Sequence, residues 1–275
     1  MTCETPMRQA EDFRAECQSL YDVLQSWPEE MWEAPTAFKG WSAIDILGHL
    51  HMADKAAMAA LDGAEAFSAA MGGFLDAVAA GEPATAYTRR WHGLSSGPQL
   101  CAVWWRFANA LADAFCPVDP RRRIPWGRGP DMSARSCMGA RQMEVWAHGQ
   151  ALFDLMGVVR KDTDRLRNIA MLGVATLGWS FAVRGLAVPQ TKPYIRLIAP
   201  SGAVWEWHDP ASADRIEGTA SAFCQIVTQT RHLADTGMVA TGDVAQKWLA
   251  IAQCFAGPPQ NPPAPGSRRA GLRAS

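Results

Sequence analysis

Glu144 and His148 stand one helical turn apart in the stretch Glu144-Val145-Trp146-Ala147-His148. On a helix, residues i and i+4 share a face. A carboxylate oxygen and an imidazole nitrogen are both good ligands for zinc and similar divalent cations. At about 100° per residue, Cys137, Ala140, Ala151 and Leu155 fall on the same face. They are small or apolar, so this face is expected to turn inward. A buried carboxylate needs a compensating partner, and a metal would supply one. The spacing alone is met more simply by a Glu–His hydrogen bond along one helix.

A second piece lies in Gly40-Trp41-Ser42-Ala43-Ile44-Asp45-Ile46-Leu47-Gly48-His49-Leu50-His51. His49 shares its face with Ile46, Leu50 and Ala53 and is expected to point into a core. His51 follows about 200° further round the helix, so the two cannot serve one site. Helical bundles build metal sites from inward side chains on different helices. His49, Glu144 and His148 could therefore close one site. Three protein ligands leave a fourth position for water or substrate, as in catalytic zinc centres. Asp45 reads as a helix-start residue, pairing with Ser42 in a capping box with Asp in place of Glu.

These residues need helices to hold them. Thr5-Pro6 reads as an N-cap and first helical position, followed by Phe13, Cys17, Leu20, Tyr21 and Leu24 at helical spacing. A second helix runs from Ser42 to about Leu61. Asp62 to Ala80 is Ala-rich and helical, with glycines that could break it. Gly81 to Leu94, with His92, reads as a loop. Ser95 or Ser96 starts a helix to Phe115. Pro117 to Pro130 reads as a loop carrying Arg121, Arg122, Arg123 and Arg128. Asp131 or Ser133 caps a long helix to Met156, with Gly157 where a C′ glycine belongs. After a charged bridge, Lys161 to Arg167, a helix reaches about Gly185. Strands are expected at Tyr194–Ala199, Val204–Trp207 and Met238–Thr241. Helices are expected at Thr219–Leu233 and Asp243–Phe255.

The fold expected is mainly α with a small α/β C-terminal part. Residues 1–160 form a four-helix bundle carrying the metal site. Residues 161–256 form a linking helix and the smaller domain, and 257–275, rich in Pro, Gly, Arg and Ala, form a disordered tail. The 275-residue chain has a net charge of −1 and 48% hydrophobic residues, which excludes wholesale disorder. Near neutrality argues against nucleic acid as the main partner. The apolar run Ile169 to Val183 is shorter than the roughly 20 residues of a membrane span. The N-terminus carries acids and no apolar run, so no signal peptide is expected. None of the seven Cys stands in a C-x-x-C pair, so a thiolate zinc knuckle, a thioredoxin-type motif and a secreted disulfide framework lack support. A reducing, cytoplasmic setting is expected. Walker-type, dinucleotide-binding and G-x-S-x-G motifs are absent.

The stretch Gly40 to Leu50 resembles the N-terminal signature of the DinB-like, mycothiol-dependent maleylpyruvate isomerase family. Arg141 to Gly157, with Glu144, Trp146-Ala147-His148 and Asp154, resembles the family's second metal-binding helix. The segment from Tyr194 through Asp214-Arg215-Ile216, Gly218 and Thr230-Arg231-His232 to Trp248 is similar to its smaller C-terminal domain. The resemblance implies a bundle with one divalent metal, usually zinc, held by His49, Glu144 and His148. It implies thiol-dependent chemistry with mycothiol or glutathione on a small-molecule substrate. It also points to Arg231 as a C-terminal arginine facing the active site, the candidate catalytic side chain.

A zinc-type ion with an open position lowers the pKa of a bound thiol. The thiolate can add to an electrophilic alkene. Rotation about the resulting single bond and elimination then complete a cis–trans isomerisation, and displacement of a leaving group would be S-transfer. A non-catalytic metal- or small-molecule-binding protein is the competing class, as is a metal-dependent enzyme of different chemistry. A fourth protein ligand would favour the binding protein. Trp104, Trp105, Trp126 and Trp146 read as core, or as an aromatic pocket. The loop arginines read as solvated, or as a clamp for carboxylates. His92, His208 and His232 read as structural. Cys137, two turns before Glu144, reads as packing and is the one internal thiol of interest.

Overall fold

In a computed structural model of the chain, residues 7–93, 96–127 and 129–268 are described. The chain divides into two compact units, the first ending at Leu155 and the second beginning at Met156.

The first unit is built on four long helices: α1 (Arg8–Leu24), α2 (Ala43–Ala60), α5 (Gly97–Phe115) and α6 (Ala134–Met156). Between α2 and α5 run α3 (Ala64–Ala79) and α4 (Ala84–His92). Phe13, Leu20, Leu47, Leu50, Trp104, Leu111, Phe115 and Trp146 are buried in its core. Three of the four long helices start at side-chain caps. The Ser42 hydroxyl accepts from the Asp45 N–H at 3.3 Å, and the Asp45 carboxylate accepts from the Ser42 N–H at 2.9 Å. Ser96 caps α5, and the Ser133 hydroxyl accepts from Ser136 N–H at the start of α6. Gly157 ends α6 with a left-handed φ of 67°. Gly97 lets α5 approach the Trp32 ring, which a Cβ there would overlap.

The segment read as a loop, Gly81 to Leu94, holds α4, so His92 lies on a helix. Its sequence, ATAYTRRWH, offers little apolar periodicity to read. Pro83 at its start and Gly93, left-handed at its end, mark the boundaries. The segment Pro117 to Pro130 contains β1 (Arg123–Ile124), paired antiparallel with β2 (Met132–Ser133). The glycines of α3 do not break it. Thr5-Pro6, Ser95 and Arg128 lie outside the described residues.

The second unit opens with α7 (Leu166–Ala175) and α8 (Leu177–Ala182). The expected single helix is divided at Thr176, whose hydroxyl donates back to the Leu172 carbonyl at 2.8 Å. Four strands follow: β3 (Tyr194–Ile198), β4 (Val204–Trp207), β5 (Arg215–Thr219) and β6 (Val239–Thr241). They lie in the order β4-β3-β5-β6, with β3 and β5 parallel and the outer pairs antiparallel. β5 carries no sequence signal of its own, because its parallel partner β3 is not its chain neighbour and no hairpin turn announces it. α9 (Ala220–Val227) ends well before Leu233, where Gln229 takes a left-handed φ of 56°. α10 is Asp243–Ile251.

Residues 257–268 form no helix or strand, but they are held in place. Gln260 donates its N–H to the Gln253 side chain, and Asp235 accepts from Gly266 N–H. Among the described residues, no helix is long and apolar enough to cross a membrane.

Candidate metal centre

α2 and α6 bring His49, Glu144 and His148 together. His49 Nε2 lies 3.3 Å, and His148 Nε2 3.0 Å, from the same Glu144 oxygen, Oε2. One ligand atom from each residue lies within 4.8 Å of the others. Among the described residues, no other His, Cys, Asp or Glu joins this group. The side chains of His49, Glu144 and His148 are 19%, 20% and 14% exposed, so the group is not sealed from solvent.

Protonation suits ligation. Burial pushes the Glu144 carboxyl up, but hydrogen bonds with His148 and His49 outweigh it and hold the group well below the usual range. Burial holds the His148 imidazole below its ordinary value, against the pull of Glu144. An anionic carboxylate beside a neutral imidazole is the state that binds a metal. The donor set of two imidazoles and one carboxylate fits a zinc-type ion.

A buried pair joins the two helices on the core side. Arg141 Nε lies 2.9 Å from Asp54 Oδ1, and Arg141 also donates to the Leu50 carbonyl at 3.2 Å. The indole N–H of Trp104 on α5 donates to the other Asp54 oxygen at 3.1 Å. Three helices are thereby tied near the donor group. Neither Asp54 nor Arg141 stood out in the sequence as a site-building residue. The signal available was two opposite charges on faces otherwise apolar.

The start of α2 is also fixed. Arg89 on α4 donates to Asp45 at 2.6 Å, to Ser42 Oγ at 3.0 Å and to Glu33 at 2.7 Å. Asp45 is thus a cap and not a ligand, as its position suggested. The preceding loop turns tightly through Lys39 and Gly40, with left-handed φ of 53° and 71°. The turn is closed by a Trp41 N–H to Phe38 carbonyl bond at 2.9 Å. It sets Trp41 parallel to the His148 ring at 5.6 Å, with an angle of 2° between the planes. Trp41 also meets His49 edge-on at 5.5 Å, and Phe38 meets His148 edge-on at 4.9 Å.

The aromatic residues that flank the site therefore differ from those first considered. Trp104 and Trp146 are buried core residues, and Trp105 stacks on Tyr21 at 4.6 Å. Trp126 lines a separate hollow of about 370 Å³ with Phe67 and Leu75. Trp41 was legible only as part of the motif around His49. His51 points elsewhere, between Trp91 and Phe107, with its pKa lowered to about 4 by burial. His208 meets the Pro193 carbonyl through Nδ1, and His232 Nδ1 accepts from Ala234 N–H, so both serve turns. Arg121, Arg122 and Arg123 are exposed, and Arg122 donates to the Leu61 carbonyl. Cys137 is fully buried, its thiol pushed up to about 12 by burial. Arg231 belongs to the second unit, where its guanidinium donates to the Thr230 carbonyl at 2.9 Å.

Fold and donor group together describe a helical bundle with a three-residue donor group that could hold a metal, followed by a small α/β unit. Residues 13–153 match the family described as the mycothiol maleylpyruvate isomerase N-terminal domain, and the chain belongs to that family. It is 37% identical over 255 residues to an uncharacterized protein of Mycobacterium tuberculosis, found in strains CDC 1551 and H37Rv. That alignment covers 90% of this chain and 95% of the relative. The fold is similar to the crystal structure of mycothiol-dependent maleylpyruvate isomerase, with a TM-score of 0.51 and 14% identity. The match covers 87% of this chain and 95% of that one. A variant of that enzyme with one histidine replaced by alanine matches equally.

Proposed function

We propose that this chain is a divalent-metal-dependent enzyme that uses a low-molecular-weight thiol, mycothiol or glutathione. Its reaction is S-transfer to, or cis–trans isomerisation of, a small electrophilic substrate. The observation that carries this reading is the three-donor group of His49, Glu144 and His148, which no fourth donor of this kind completes among the described residues. Three protein ligands with a position left for substrate are the pattern of catalytic zinc. Family membership and the likeness to a mycothiol-dependent isomerase support the thiol chemistry.

Bound by these residues, a zinc-type ion would lower the pKa of a thiol and polarise a carbonyl. The chain's own residues prepare the place. Glu144 supplies one negative charge and His49 and His148 supply nitrogen donors. Asp54 and Arg141 tie α2 to α6. The resident thiol nearest in sequence does not compete, because Cys137 stays protonated near neutrality. The nucleophilic sulfur is then one that arrives with the cofactor. Arg231 stays the candidate catalytic cation on the strength of the family resemblance.

The test is direct. Metal-loaded full-length protein is given mycothiol, glutathione or a simple thiol together with an electrophilic alkene. Thiol-dependent isomerisation or thioether formation is expected. No turnover with any of these thiols would overturn the reading.

A further inference from the structure

Metal-binding histidines normally donate their second ring N–H to a carboxylate, a carbonyl or water, and that bond fixes the ring. Here the pattern is different. Nδ1 of His49 and Nδ1 of His148 are both buried, and neither has a hydrogen-bond partner among the described residues. What touches the rings instead is aromatic. Trp41 lies parallel to His148 with ring centroids 5.6 Å apart and meets His49 at 66°. Phe38 meets His148 at 79° and packs against Trp41 at 5.2 Å.

This clamp is itself held firmly. Trp41 donates its N–H to the Phe38 carbonyl, and the Trp41 carbonyl accepts from Thr36 N–H at 2.9 Å. Phe38 N–H donates to the Thr36 hydroxyl at 3.2 Å. The next residue, Ser42, is fixed by the capping box and by Arg89.

We infer that Trp41 and Phe38 are the positioning residues of the centre: their rings set the orientation of both imidazoles, a task usually done by hydrogen bonds at Nδ1. The inference rests on the metal reading given above. With no protein acceptor at either Nδ1 among the described residues, the aromatic contacts are what hold the two rings in place. Loss of the indole frees the His148 ring to turn out of line.

Full-length protein stripped of metal is titrated with zinc against a chromophoric chelator. Trp41→Leu is expected to weaken binding by about 10–100-fold, the range for lost ligand support. Phe38→Leu is expected to weaken it less, and Trp41→Phe to recover most of the loss. Wild-type protein that binds zinc no better than His49→Ala removes the metal reading, and the inference with it. Wild-type zinc affinity in both leucine variants overturns the clamp alone. So does Trp41→Phe binding as weakly as Trp41→Leu. A second readout needs no metal. The His148 ring lies parallel to the indole at 5.6 Å, and its proton resonances are expected to shift in the NMR spectrum of Trp41→Leu, which removes the ring current. Unchanged resonances would contradict the stacking.

Discussion

The guanidinium of Arg141 lies 2.9 Å from the carboxylate of Asp54, and their side chains are only 1% and 0% exposed. Arg141 precedes Glu144 by one turn of α6, and Asp54 follows His49 on α2. The pair therefore bridges the two helices that carry the donors. Burial pushes the Asp54 carboxyl up, while Arg141 and the Trp104 N–H pull it down. Removing one partner leaves an uncompensated buried charge, which costs about 3–5 kcal/mol. Arg141→Met is expected to lose that much in urea denaturation. The double variant Asp54→Leu, Arg141→Met should recover most of it, because an apolar pair has no charge to desolvate. A double variant as unstable as Arg141→Met would show that the helices are joined by something else.

Acid should loosen the start of α2. Burial pushes Asp45 up, but the hydrogen bonds from Arg89 and Ser42 hold its carboxyl below the ordinary value. A depressed carboxyl stabilises the fold above its unfolded value, about 3.9. That contribution is lost as pH falls through the lower folded value. Arg89 is partly exposed, so Arg89→Met should cost only about 1 kcal/mol at pH 7. The gap between wild type and Arg89→Met should narrow as pH drops below about 4. A gap that stays constant from pH 7 to 3 would exclude Asp45 and Glu33 as the partners that matter.

Cys137 should be silent near neutral pH. Its thiol is pushed up to about 12 and has no exposed surface. Among the described cysteines, Cys116 is the partly exposed one and should be modified before Cys137 by a thiol reagent, as read by peptide mass spectrometry. Cys137→Ala should retain thiol-dependent turnover within a few-fold. Loss of turnover in a folded Cys137→Ala variant would make this cysteine part of the chemistry.

Much of the bundle could be read along the chain because its signals are local. Ser42 with Asp45, Ser133 and Gly157 are helix ends written in a few adjacent residues. The donor group was legible for a related reason. Glu144 and His148 share a face by their i, i+4 spacing, and His49 lies in a helix whose start its cap announces, although all three sit at the less buried positions of helices buried on most sides. What escaped was written across the chain. The Asp54–Arg141 pair joins residues on different helices, and β5 pairs with β3 across an intervening hairpin strand. α4 is nine residues long with few apolar positions, too short for periodicity to show. Trp41 stands in a turn, where no repeat predicts the direction of a side chain.

The central claim is that His49, Glu144 and His148 hold one divalent ion. It is tested most directly by the metal content of purified full-length protein, measured beside His49→Ala and Glu144→Ala. The account predicts about one zinc-type ion per wild-type chain, and loss of most of it in both variants with helical circular dichroism preserved. Full metal retained in both variants would contradict it.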